Sequence, residues 1–343
     1  MRVLILRDDR PGHFNQSEGL VAALARRRPV VADRLRLLAR PPFKGHLLRA
    51  LAALRLPPAP LLGLAHGLRL GDLARPDLVV SAGADTLVAN LLLARAWGCP
   101  NVFIGSLRGV SPTAFAAVLT IYPRLADGDR VILAAKPTTV DPDALPPRRP
   151  IDGPAGLAGA RVSVLVGGPT PAHLWAADDW RRLAALLAEL AGPGGASLVV
   201  TTSPRTPAAA IEALSSLRGR PGVEAVSLFG AADALPRDHF FAADAILVTG
   251  DSATMVFEAV SARRPVAILD PALRRPARDD AAFAWLAAEG RIARLALPEV
   301  SAPQLAAALA GVRPLAAHPM DLLIDRLAPA LRRAGIDAGP TEP

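Results

Sequence analysis

A chain of 343 residues, 51% apolar and carrying a formal charge of +8, is too long for one ordinary hydrophobic core and predicts two domains of about 150 residues each. Its single cysteine, Cys99, excludes an internal disulfide and a cysteine-based zinc site, and no apolar run reaches the length of about 20 residues that a membrane-spanning helix needs. The positive charge suits anionic partners, but a lone tyrosine and the lack of aromatic–basic interleaving argue against nucleic acid.

The first predicted strand, Val3–Arg7, holds an apolar run too short for a secretory leader and is closed by Asp8 and Asp9. A cytoplasmic location is therefore expected. A helix over Asn15–Arg27 follows, with Leu20, Val21 and Leu24 on one face. Next comes a strand over Pro29–Leu37. From Arg40 to Pro60, prolines bracket a short helix with an apolar face of Leu47, Leu48, Leu51 and Leu54 beside Lys44, Arg49 and Arg55. Such a basic amphipathic segment suits peripheral contact with an anionic membrane at its inner face; the alternative is that its leucines pack on their own sheet.

Strands follow over Asp77–Ser81, Asn101–Ser106, Ala117–Ile121 and Arg130–Ala134, with a helix over Asp85–Trp97. These strands are short and apolar throughout, as in parallel sheets covered on both faces. The Pro- and Arg-rich stretch from Lys136 to Pro154 reads as a linker. It places domains at 1–150 and 151–343, with the final helix a candidate to return to the first. In the second half the strands are Arg161–Val166, Ser197–Thr201, Ala225–Phe229, Ala245–Val248 and Pro265–Leu269. A helix over Ala177–Leu190 presents Trp180, Leu183, Leu186, Leu187 and Leu190 at helical spacing. The alternation predicts an α/β chain of two Rossmann-like domains facing across a cleft.

In open parallel sheets ligands sit beyond the carboxyl ends of the strands, and four loops there carry chemistry. The first, Asp8-Asp9-Arg10-Pro11-Gly12-His13, leaves a buried strand and enters a helix. His13 is placed to take a proton from an attacking hydroxyl, unless these acids and arginines pair with one another and His13 only caps the helix. In the second, Gly167-Gly168-Pro169-Thr170, the glycines permit close approach to an anion or simply make a tight turn. In the third, Thr201-Thr202-Ser203-Pro204-Arg205-Thr206-Pro207, Thr206 is a natural cap for the next helix, which leaves Ser203 and Arg205 unexplained. In the fourth, Gly250-Asp251-Ser252, Ser252 or Asp251 caps a helix whose expected buried stripe is Met255, Val256, Ala259 and Val260. Glu258, beside that stripe, needs partners: ribose hydroxyls, or an arginine such as Arg263. The six scattered histidines show no helical metal spacing, so no metal is expected.

These motifs, with Asn15-Gln16, Gly19-Leu20 and Glu258-Ala259, resemble the mitochondrial-fission Elm-type family, in order from the first strand to about Asp270. A more distant resemblance joins Gly12-His13, Gly167-Gly168 and the series Ser252, Glu258-Ala259, Arg264-Pro265-Val266 to the MurG type of GT-B glycosyltransferase. It departs from that type in having Asp8-Asp9-Arg10-Pro11 where a glycine-rich turn is expected. The MurG likeness implies a GT-B fold and transfer of a sugar from a nucleoside-diphosphate-sugar donor to an unknown acceptor, lipid-linked or of the cell envelope, without another cofactor. It implies that Glu258 holds ribose, that Gly168 and Ser252 face phosphate, and that His13 acts on the acceptor. Arg10, Gly12, Gly167, Thr170, Ser203, Arg205, Gly250 and Asp251 complete the candidate nucleotide-sugar contacts, with Asp8 and Asp9 beside His13 as candidate catalytic groups. Asp8 and Asp9 also admit a nucleotide-sugar 2-epimerase, and the Elm-type likeness admits a non-catalytic scaffold.

Overall fold

The computed structural model describes residues 1–37, 40, 46–54, 56–151 and 154–339. The chain divides into two compact units, Met1–Thr139 with Pro319–Pro343, and Val140–His318. In the first unit the elements run β1 (Arg2–Arg7), α1 (Pro11–Ala25), β2 (Val31–Arg36), α2 (His46–Ala53), α3 (Pro58–His66), β3 (Leu78–Ala82), α4 (Leu87–Trp97), β4 (Asn101–Ile104), β5 (Ala117–Thr120) and β6 (Val131–Leu133). The second unit holds β7 (Arg161–Leu165), β8 (His173–Leu174), α5 (Ala177–Leu190), β9 (Ser197–Thr201), α6 (Ala208–Ser215), β10 (Val223–Ser227), α7 (Arg237–Phe241), β11 (Ala245–Thr249), α8 (Ala253–Ser261), β12 (Val266–Asp270), β13 (Leu273–Arg274), α9 (Asp280–Ala288), β14 (Ala293–Ala296) and α10 (Ala302–Ala310). The last helix, α11 (Pro319–Arg333), belongs to the first unit.

Each unit is built on a six-stranded sheet, ordered β2-β1-β3-β4-β5-β6 in the first and β10-β9-β7-β11-β12-β14 in the second. Every pairing within both sheets is parallel. The α/β class and its parallel sheets are thus as the sequence alternation predicts. Each sheet reverses its winding once, between β1 and β3 and between β7 and β11. Such reversals are where ligands bind to this kind of sheet.

Strand periodicity explains the covering of the first sheet. Val3 and Ile5 point to one face and join Leu20, Leu24, Ile324, Leu327 and Leu331 of α1 and α11. Leu4 and Leu6 point to the other and join Leu62, Leu87, Leu91 and Leu92 of α3 and α4. In the second unit Val162, Val164 and Leu247 pack against Leu183, Leu186 and Leu187 of α5. The segment expected as a linker forms no long element; Pro137, Thr138, Val140, Pro142 and Ile151 are buried, while 146–150 are exposed, so it is packed towards its two ends and open to solvent between them.

Gly19 shows how tightly α1 is seated. A Cβ there would lie 2.5 Å from the backbone nitrogen of Thr138 and 2.6 Å from its carbonyl carbon and oxygen. Alanine gains about 1 kcal/mol over glycine in helix propensity, but forcing a methyl onto backbone costs about 1–3 kcal/mol or more. Crowding wins, so Gly19→Ala should lower the denaturant midpoint with an unchanged slope. A raised midpoint would show that the Thr138 segment yields easily.

Candidate functional site

The loop after β1 lies at the first reversal point. The Asp8 carboxylate is 1% exposed, and its Oδ2 lies 2.6 Å from Nδ1 of His13, which is 27% exposed. The other oxygen, Oδ1, accepts the backbone N–H of Arg10 at 3.0 Å. This second contact fixes the carboxylate, and the carboxylate fixes the ring. With Nδ1 committed, Nε2 is the ring atom left for proton transfer, and it has no hydrogen-bond partner among the described residues. His13 does not cap α1: the cap position is Arg10, with no side-chain cap bond.

Asp9, expected beside His13 as a catalytic group, instead pairs with Arg36 of β2 at 2.7 Å on an exposed surface. Arg10 is exposed, and Gly12 offers its carbonyl to Gln16 Nε2 at 2.8 Å. A residue that sequence reasoning missed completes the cradle. Gly83, at the turn after β3, has φ +88°, and a Cβ there would lie 2.1 Å from His13 Nδ1. Only glycine fits both the backbone and the ring. Its signal was its position, directly after a predicted strand.

The second unit repeats the pattern at its own reversal point, where the loops after β7 and β11 interlock. Gly167 N–H donates to Thr249 Oγ1 at 2.8 Å, and Gly168 N–H donates to Asp251 Oδ2 at 3.0 Å. The Asp251 carboxylate is fully buried, and the same oxygen receives Arg205 Nη2 at 2.8 Å. Crowding explains both glycines: a Cβ on Gly167 would lie 2.0 Å from Asp251 Oδ2, and one on Gly168 would lie 2.0 Å from the Arg205 carbonyl oxygen. Asp251 therefore anchors Arg205, whose side chain remains 43% exposed.

Ser252 caps α8 by accepting the Met255 N–H at 3.4 Å. Thr206 does not cap α6, whose cap position is Pro207. Its hydroxyl lies instead 2.6 Å from the Gly167 carbonyl and accepts the Ser203 N–H at 2.8 Å, clamping the third loop to the second. Ser203 is buried in that clamp. The Thr170 hydroxyl is spent on its own turn, accepting the N–H groups of Ala172 and His173. On α8, Val256, Phe257, Ala259 and Val260 are buried while Met255 is only partly so, which shifts the stripe from its expected positions. Glu258 pairs with Arg237 of α7 at 2.8 Å. Arg263 turns away, with φ +57°, to the carbonyls of Leu315 and Ala316.

Beneath this loop, a Cβ on Gly250 would lie 2.0 Å from Asp270 Oδ1. Burial pushes the Asp270 carboxyl up, but contacts with His173 at 3.5 Å and Arg294 at 2.6 Å outweigh it and hold the group below the usual carboxylate range. Away from the predicted sites, Asp141, Asp143 and His318 bring three metal-ligand atoms within 4.8 Å of one another. His318 Nε2 is already 3.1 Å from Asp141 Oδ1.

Two such units, each on a parallel six-stranded sheet, have the GT-B class of α/β fold, shared with the similar structures that follow. The chain belongs to the family described as mitochondrial fission ELM1, which matches residues 11–317. Among solved structures it is similar to one from Listeria monocytogenes described as a "putative UDP-N-acetylglucosamine 2-epimerase" (12% identity, TM-score 0.53, 98% of each chain covered). It is also similar to MurG of Acinetobacter baumannii (15% identity, TM-score 0.51, 95% of this chain and 99% of that one). A third similar structure is the UDP-GlcNAc 2-epimerase of Neisseria meningitidis bound to UDP-GlcNAc (14% identity, TM-score 0.51, 95% and 99%). No curated protein matches the chain in sequence.

Proposed function

We propose that the chain is a nucleotide-sugar-dependent glycosyltransferase, and the observation that carries this reading is the Asp8–His13 pair. A histidine with Nδ1 held by a buried carboxylate presents Nε2 as a general base for an acceptor hydroxyl. As the hydroxyl oxygen attacks the anomeric carbon, its proton passes to Nε2 and the nucleoside diphosphate departs. Arg205, whose side chain stays 43% exposed, and the α8 amino terminus at Ser252 would stabilise the departing diphosphate, and Glu258 would hold the ribose. The Gly167 and Gly168 N–H groups, expected to contact the nucleotide-sugar, are spent on Thr249 and Asp251. Transfer is favoured over 2-epimerisation because the two carboxylates of the first loop are engaged, Asp8 by His13 and Asp9 by Arg36. A thermal-shift series with nucleoside diphosphates tests the donor half. A ligand at 100 times its Kd stabilises the native state by about 2.7 kcal/mol. Absence of any shift at millimolar UDP, ADP, GDP, CDP and TDP would leave the non-catalytic scaffold as the better reading.

The acceptor side of the proposal is peripheral contact with an anionic membrane. No helix among the described residues is long and apolar enough to cross a bilayer. Leu48 and Ala52 of α2 are buried, but Leu47, Leu54, Leu56 and Leu64 are 42%, 69%, 41% and 60% exposed. No acidic residue falls between Asp33 and Asp72. Lys44 and Arg55 lie outside the described residues; Arg49 lies half-buried. The protein should sediment with anionic but not neutral vesicles, and Leu54→Ser with Leu64→Ser should weaken this several-fold. Equal sedimentation of parent and variant would retire membrane contact and favour a soluble acceptor.

A further inference from the structure

A cavity of about 650 Å³ lies in the first unit at the amino-terminal ends of its strands, away from the His13 loop. Its wall combines Arg28, which follows α1, Arg75 and Asp77, which precede β3, Cys99, which precedes β4, and Gly335, which follows α11. The transferase reading uses none of them.

The two arginines are unevenly satisfied. Arg28 donates through Nη1 to the Asp337 carbonyl at 2.5 Å, while its Nε is buried with no acceptor. Arg75 is exposed and has no hydrogen-bond or ion-pair partner among the described residues. The one carboxylate on the wall, Asp77, keeps its charge but forms no ion pair with either arginine; its Oδ2 accepts the backbone N–H of Arg2 at 2.6 Å, so two guanidinium groups stand against one acid. Two guanidinium groups without a carboxylate partner around one cavity match a phosphate group, whose oxygens take the forked donors of arginine in pairs. The volume is that of a small-molecule site, larger than a bare ion needs.

We propose that this cavity binds a small phosphorylated metabolite, with Arg28 and Arg75 on its phosphate. Gly335 belongs to the segment that follows α11, so an occupant would touch both the sheet and the returning end of the chain. The site is independent of the transferase reading and stands or falls without it.

Cys99 supplies the readout, because it is the only thiol and lies on the cavity wall. Burial pushes this thiol up, while the charge of Arg75 draws it partly back, so alkylation by the uncharged reagent N-ethylmaleimide is followed in mildly alkaline buffer. Inorganic phosphate and glycerol 3-phosphate are compared with sodium chloride at equal ionic strength. Either phosphate should slow the labelling several-fold where chloride does not. Stronger protection by the ester identifies an esterified occupant, and equal protection identifies the phosphate ion itself as sufficient. In Arg75→Gln the concentration giving half-protection should rise at least tenfold, judged against that variant's own unprotected rate. Arg75 is exposed, so this variant should fold. Equal slowing by chloride, or protection of Arg75→Gln as full as that of the parent, would overturn the proposal.

Discussion

Replacing His13 with alanine is expected to lower turnover by about 10²–10⁴-fold, the usual contribution of a positioned general base, while nucleoside diphosphate binding stays near that of the parent. The reason is geometric. Asp8 occupies Nδ1, Arg10 N–H and burial hold Asp8, and Gly83 closes against the ring. Every restraint acts on one side of the imidazole. Asp8→Asn keeps the shape but no longer enforces the tautomer that leaves Nε2 unprotonated, so it should reproduce much of the loss. Release of nucleoside diphosphate from a nucleotide-sugar, with and without an acceptor extract, measures both variants. A His13→Ala protein as active as its parent would reduce the pair to a local structural contact.

The second large effect is expected at Glu258. Glu258→Ala should weaken nucleoside diphosphate binding by roughly 1.5–3 kcal/mol, the range for hydrogen bonds to charged groups, or about ten- to a hundredfold in Kd. Its carboxylate is 12% exposed and lies beside Arg237, which is 37% exposed. Removing the acid therefore also leaves an arginine with one partner fewer. Calorimetry and denaturant unfolding separate the two consequences. A loss of affinity with a modest loss of stability supports ribose binding. Unchanged affinity with lowered stability would make the Arg237 pair the whole role of Glu258.

Much of this architecture was legible because buried parallel strands and amphipathic helices follow simple periodicities. The helix Ala177–Leu190 and the strand Ser197–Thr201 match their sequence reading residue for residue. The edge strand Ala293–Ala296 escaped because it is four residues long, half-exposed and interrupted by Arg294, so no continuous apolar run marks it. The two-residue pairing of β8 with β13 is shorter than any periodicity can show.

The candidate site was legible where polar residues crowd a strand end, as at the paired Asp8 and His13. It was not legible where a contact joins distant positions. Gly83 meets His13 across 70 residues of chain, and its place after a predicted strand marks a turn but not the ring that the turn closes on. Arg263 looked like the partner of Glu258 because it is near in sequence. The α8 helix ends before it, and the left-handed backbone at Arg263 sends its side chain to Leu315 and Ala316 instead. Thr206 had the right residue type for a helix cap, but two carbonyls of the neighbouring loop compete for its hydroxyl.

The place of α11 bears on how the protein is made. Its Ile324, Leu327 and Leu331 complete one face of the first sheet, and Arg26 and Arg27 of the α1 end pair with its Asp321 and Asp325. On the ribosome the first sheet would thus emerge with that face covered by α1 alone, and the part that α11 covers would stay bare while all of Val140–His318 is synthesised. At about 5–20 residues per second, that wait lasts on the order of ten seconds or more. The unit that begins first finishes last, and chaperones that shield apolar surface have their longest opportunity in that interval.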